Sequence, residues 1–246
     1  MEKTKINFNG LIGELFGTML LVLFGAGIAS RGDSLWTGSI AFGLILMVLI
    51  VTLGPLSGGN FNPAVSIGLL INKKLDLKNF LLYVLAQIVG AIIGGALLLL
   101  IFRDGNNIGA NNLGTGYLNP LEAMTAPKYY GHDETTFMII ALVVELISTF
   151  AFVLTIILTV TSEKMEKLAV FIIPAALTLA LLMTGVFTGG SVNPARSLGT
   201  MIFSDSIQYV WIVIVGPVLG AIAAGFVGLL INKRKTKDEV AKELAS

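Results

Sequence analysis

The stretch SGGNFNPAVSIG, residues 57–68, returns 131 positions later as TGGSVNPARSLG, residues 188–199. Both copies keep the pattern Gly-Gly-x-x-Asn-Pro-Ala-x-Ser-x-Gly, and both lie between apolar runs. Asn followed by Pro is a helix-start signal: Asn caps the first turn, and Pro fits there because that turn does not need its missing N–H. Each copy therefore predicts a loop feeding a short apolar helix, over residues 62–71 and 193–203. At ~1.5 Å per residue such a helix reaches about half of a ~30 Å bilayer core, so it enters the membrane without crossing it.

The repetition extends beyond the two motifs. At the same offset ELFGTMLLVL from Glu14 lies over ELISTFAFVL from Glu145, and VGAIIGG from Val89 lies over LGAIAAG from Leu219 at an offset shorter by one. Six apolar segments long enough to span can be marked, roughly residues 10–29, 38–56, 80–102, 136–160, 168–187 and 209–231. Each copy holds three, an odd number, so the second copy enters from the opposite face and the repeats are inverted about an axis in the membrane plane. The expected fold is all-α, six transmembrane helices plus two re-entrant half-helices, in one domain: repeat one over 8–102, a connection over 103–135, repeat two over 136–231 and a charged tail over 232–246.

Composition agrees with a membrane protein. Charged residues make up 13% of the chain, 55% is hydrophobic and the mean hydropathy is +0.87, too apolar for a soluble surface. The first segment follows Lys3 and Lys5 like a secretion signal, but it carries Glu14 and lacks a clear small-residue cleavage site, so it reads as a spanning helix. Twelve of the sixteen Lys and Arg residues fall on one side of a six-helix arrangement, in the segments around Lys5, Lys73, Lys164 and Lys233. That side is expected to be cytoplasmic and to hold both termini, with Lys233 and its neighbours at anionic lipid headgroups. Arg31, Arg103 and Lys128 fall opposite, near Asp33, Asp104, Glu122, Asp133 and Glu134. No cysteine is present, and the single histidine, His132, reads as a solvated loop residue. Neither a metal site, a cofactor nor a nucleic-acid partner is expected.

Irregular backbone at membrane depth is tolerated where it is buried in protein or lines a watery cavity. Gly58, Gly59 and Gly189, with Asn60, Phe61, Ser191 and Val192, are candidates for extended loops whose carbonyls face such a cavity. Asn62-Pro63-Ala64 and Asn193-Pro194-Ala195 would bring amide donors and two helix N-termini to the midplane, a point that donates to neutral polar molecules and repels cations and protons. Glu14 and Glu145 occupy equivalent positions, which fits acceptors for loop N–H groups better than a proton relay. Arg196 follows the second motif where the first copy has Val65, and is expected to line the cavity as a donor fork. GAIIGG and GAIAAG serve close helix packing.

With two Asn-Pro-Ala motifs, each behind Gly-Gly, and Arg after the second, the whole chain resembles the aquaporin superfamily, the major intrinsic proteins. The resemblance implies a pore in each subunit, assembly as a homotetramer, and a filter of four residues near the outer mouth: Phe42, Leu181, Gly190 and Arg196. Water channels of this family usually have His where this chain has Leu181, and glycerol facilitators typically have Trp at Phe42 and Asp where Ser197 follows Arg196. The chain departs from both patterns and is similar to microbial channels of mixed selectivity. A passive channel for water and small uncharged solutes follows, among them glycerol-like polyols, undissociated lactic acid or hydrogen peroxide. A water-selective pore is the alternative, should Phe42 and Leu181 lean together.

Inverted repeats and broken helices also build secondary transporters, but coupling calls for ionisable groups at the midplane, where this sequence offers amides. A junction or scaffold role without transport would leave Arg196 and Leu181 without consequence for permeability. No nucleophile with a nearby base and no phosphate-cradling fingerprint suggests an enzyme. Residues 103–135 are expected to drape over the outer vestibule, and DEVAKELA in the tail reads as a short surface helix. A microbial cytoplasmic membrane suits the chain.

Overall fold

A computed structural model describes residues 5–32, 34–114 and 128–245, with the backbone alone for Lys128 and residues 234–245. Lys3, Asp33, Glu122 and the middle of the inter-repeat connection lie outside the described residues. The described chain is almost wholly helical. Its elements are α1 (Phe8–Ala29), α2 (Leu35–Thr52), the half-helix α3 (Pro63–Ile71), α4 (Leu77–Phe102), α5 (Glu134–Val160), α6 (Ala169–Thr188), the half-helix α7 (Pro194–Met201) and α8 (Val210–Ala245).

Local chemistry sets the ends. Asn7 caps α1 by accepting from Gly10 N at 2.9 Å, two residues ahead of the expected start. Asp76 caps α4 by accepting from Asn79 N at 3.1 Å, and the Asn79 amide, with neighbouring N–H groups, holds its carboxyl below the ordinary value of 3.8. Helix α2 ends at Thr52 rather than near residue 56 because Gly54-Pro55 follows; Pro lacks the N–H that would continue the ladder, and a separate turn, Gly54–Ser57, takes over. The tail does not form a detached helix: α8 continues unbroken to Ala245, with no Gly or Pro after Gly228 to stop it.

The packing follows the repeat. Helix α1 packs on α4 as α5 packs on α8, α1 meets α2 as α5 meets α6, and α2 meets α6 at the seam. The half-helices are exchanged, α3 lying against α8 and α7 against α4. Close approach explains the small residues. A Cβ on Gly90 would sit 2.1 Å from Leu15 O, and one on its counterpart Gly220 would sit 2.3 Å from Leu146 O. Leu44, Leu81, Leu100, Ile139, Leu179 and Phe226 are exposed along the outside, whereas Glu14, Gln87, Glu145 and Thr149 are buried. Such an inversion suits a chain whose outer solvent is lipid.

Candidate functional site: a pore between the half-helices

Asn62 and Asn193 stand at the starts of α3 and α7. Each side-chain oxygen caps its own helix, Asn62 Oδ1 accepting from Ala64 N at 2.8 Å and Asn193 Oδ1 from Arg196 N at 3.1 Å. Each amide also crosses to the other loop: Asn62 Nδ2 donates to Val192 O at 2.8 Å and Asn193 Nδ2 to Phe61 O at 2.9 Å. The two helix N-termini are thus tied face to face. Each Nδ2 keeps a second N–H, and both asparagines line a narrow cavity. Pro63, Ala64, Pro194 and Ala195 form the buried first turns.

The loops feeding these helices are held from behind by two buried carboxylates. Glu14 accepts from Asn60 N at 3.0 Å, Phe61 N at 2.7 Å and Gln87 Nε2 at 2.6 Å. Glu145 accepts from Ser191 N at 3.1 Å, Val192 N at 2.9 Å and Thr188 Oγ1 at 2.5 Å. The loops are under backbone strain. Phe61 and Val192 both have φ of +48°, a region that a bulky or β-branched residue rarely enters, and Gly58, Gly59, Gly189 and Gly190 are left-handed as well. Nothing in the residue types at 61 and 192 signals this; only their equivalence in the repeat hints at a shared shape. Of the carbonyls expected in the cavity, those of Phe61 and Val192 accept the crossing asparagines. Gly58 is exposed at the rim of its loop, and Gly189 reaches a wide vestibule at one end of the bundle.

Phe42, Leu181, Gly190 and Arg196 come together where two cavities meet. Outward is a vestibule of about 250 Å³, bordered by Ser34, Ser39, Asn106 and Asn112. Inward is the narrow cavity of about 20 Å³, walled by Leu21, Leu46, Phe152 and Leu177 and reaching Asn62 and Asn193. The Arg196 guanidinium lies 4.9 Å from the centre of the Phe42 ring. Leu181 leans on Gly190, where a Cβ would be 3.2 Å from Leu181 Cδ2. Helix α1 adapts to this level: over Leu21–Ala26 it opens into a wider π-type turn, and Gly25 in that turn packs directly on the Phe42 ring. Sequence periodicity carries no sign of that widening. The connection does reach the vestibule as far as it is described, Arg31 Nη2 donating to Asn107 O at 2.8 Å.

Two half-helices meeting head to head inside a bundle of spanning helices, with a narrow polar-tipped passage along them, define a membrane channel. The sequence matches the Major intrinsic protein family over residues 2–228, and the chain belongs to that family. It is 35% identical over 221 residues to glycerol uptake facilitator protein-like 6 of Lactiplantibacillus plantarum, covering 87% of this chain and 94% of that one. It is 33% identical over 233 residues to aquaporin Z of Brucella melitensis, covering 90% and 98%. Among solved structures it resembles the aquaglyceroporin from Plasmodium falciparum, with a TM-score of 0.70, 25% identity and coverage of 92% of this chain and 97% of that one. Membership makes the protein a multi-pass membrane channel and not an enzyme.

Proposed function

We propose that this channel passes water and small uncharged solutes such as glycerol, and excludes ions and protons. The filter carries the reading: of its four residues Arg196 alone brings a charged donor, while Leu181, Phe42 and the backbone of Gly190 leave the facing walls apolar or bare. A polyol accepts from Arg196, donates to main-chain carbonyls, and lays its carbon backbone along Phe42 and Leu181. Cations meet Arg196 first and then the paired N-termini of α3 and α7, each carrying about half a positive charge. Both barriers oppose them. The related glycerol uptake facilitator-like and aquaglyceroporin proteins support this selectivity by name. We further propose a homotetramer in the cytoplasmic membrane, with both termini in the cytoplasm.

One observation favours a water-selective pore instead. The passage below the filter holds about 20 Å³, room for on the order of one or two waters. Stopped-flow light scattering on proteoliposomes separates the two readings. Rapid water and glycerol flux, with glycerol flux lost and water flux kept in Leu181→His, supports the mixed filter; rapid water flux without glycerol flux in the wild type rejects it.

A further inference from the structure

Asn111 lies in the connection between the repeats, is fully buried, and is held at three points. Its Nδ2 donates to Thr188 O at 3.0 Å, its main-chain carbonyl accepts from Ser206 Oγ at 2.6 Å, and its Oδ1 accepts from Arg196 Nη1. The segment around it is also anchored by main-chain bonds. Asn112 N donates to Thr188 O at 3.2 Å and Gly114 N to Phe187 O at 2.9 Å. Gly109, at φ +70°, presses its main chain on Ala26, where a Cβ would come within 2.5 Å of the carbonyl oxygen.

Asn111 is thus a fixed acceptor for a charged donor, delivered by a segment that belongs to neither half-helix. A guanidinium is planar and rigid, so a bond at one nitrogen sets the direction of every other N–H. Arg196 is gripped on one side by Asn111 and faced on the other by the Phe42 ring. We infer that Asn111 is a positioning residue of the filter: from behind the wall it directs the Arg196 guanidinium and thereby sets which solutes fit. Resting on the channel reading above, this makes the inter-repeat connection a determinant of selectivity. Without the Asn111 acceptor that end of the guanidinium turns toward the water of the lumen and narrows the opening, which obstructs glycerol more than water.

The test is the glycerol-to-water permeability ratio of the full-length channel in proteoliposomes, for the wild type, Asn111→Leu, Arg196→Ala and the double variant. Asn111→Leu keeps the side chain's size but removes the acceptor. The ratio is expected to fall at least about fivefold, the effect of ~1 kcal/mol in barrier height. In the Arg196→Ala background the same change is expected to do nothing, because its effect runs through the arginine. An unchanged ratio in Asn111→Leu, or an equal fall in both backgrounds, overturns the inference while leaving the channel reading intact. A wild type that passes neither solute overturns both. If Asn111→Leu does not fold, Asn111→Ala decides by the same comparison: a fall in the wild-type background that is absent in the Arg196→Ala background supports positioning, and an unchanged ratio or an equal fall in both refutes it.

Discussion

Replacing Glu145 with Gln changes one atom of a side chain that is wholly buried, yet the bonding around it predicts a substantial loss. The carboxylate serves only as acceptor, taking Ser191 N and Thr188 Oγ1 on one oxygen and Val192 N on the other. A glutamine offers one acceptor and one NH2. If its oxygen keeps Val192 N, its NH2 faces Ser191 N; Thr188 can rotate its hydroxyl to accept, but a main-chain N–H cannot. One buried donor is then stranded, at a cost of about 1–3 kcal/mol. Glu145→Ala strands both N–H groups and opens a cavity, so its loss is roughly twice as large or more. Glu14→Gln is expected to cost about as much as Glu145→Gln, since Asn60 N and Phe61 N are likewise divided between two oxygens.

Thermal unfolding of the purified channel in detergent, with water flux of the same samples in vesicles, measures this. The expected order of melting temperature is wild type, then Glu145→Gln and Glu14→Gln together, then Glu145→Ala. A proton-relay role predicts something else. A Glu145→Gln channel as stable as the wild type, with only the pH dependence of its transport altered, would refute the scaffold reasoning.

Gly190→Ala places a methyl group 3.2 Å from Leu181 Cδ2 at a φ of +77°; glycerol flux in proteoliposomes is expected to fall while water flux persists. The Asp133 carboxylate accepts from Thr136 Oγ1 at 2.6 Å and Thr136 N at 3.0 Å, which holds it below its ordinary value of 3.8. That bonding supports α5 fully above the unfolded value and is lost as pH falls through the lower folded one, so protection of the Thr136 amide from hydrogen exchange, relative to its intrinsic rate at each pH, should fall only in strong acid.

Most of the fold was legible because membrane constraints are coarse: a span needs about 20 apolar residues, and a doubled motif on an inverted repeat leaves few arrangements. Asn-Pro placed the starts of both half-helices to within a residue, since the cap is a local device. Helix α2 runs over Leu35–Thr52 rather than the expected 38–56, although Ser34 caps its start and Gly54-Pro55 follows its end, because a count of apolar residues does not weigh such local signals. The widened turn at Leu21–Ala26 and the left-handed Phe61 and Val192 had no local signature at all. They arise from packing against Phe42 and from the grip of the two glutamates, which tertiary structure alone supplies. Asn111 has no sequence signature for a related reason: it lies in a polar connection rich in asparagine, and its contact with Arg196 joins residues 85 positions apart.

The repeat also bears on why the proposed filter lies at one end of the pore. Symmetry supplies the scaffold, pairing Glu14 with Glu145, Asn62 with Asn193 and Phe61 with Val192: each glutamate accepts from two successive loop N–H groups, and each asparagine amide crosses to the other loop's carbonyl. By the same offset of 131, the filter positions Phe42, Leu181, Gly190 and Arg196 correspond to Ile173, Ile50, Gly59 and Val65. These counterpart residues have glycine in common with the filter positions but neither ring nor cation, so their side chains carry no donor. A barrier shared equally by both halves would have to be built from the motifs themselves, which is where the amides and helix N-termini lie. In the proposed filter, discrimination rests on positions where the halves differ, among them residue 196, arginine in one half and valine in the other. The connection that delivers Asn111 to that arginine has no counterpart within either repeat, which places it among the parts free to tune the filter without disturbing the scaffold.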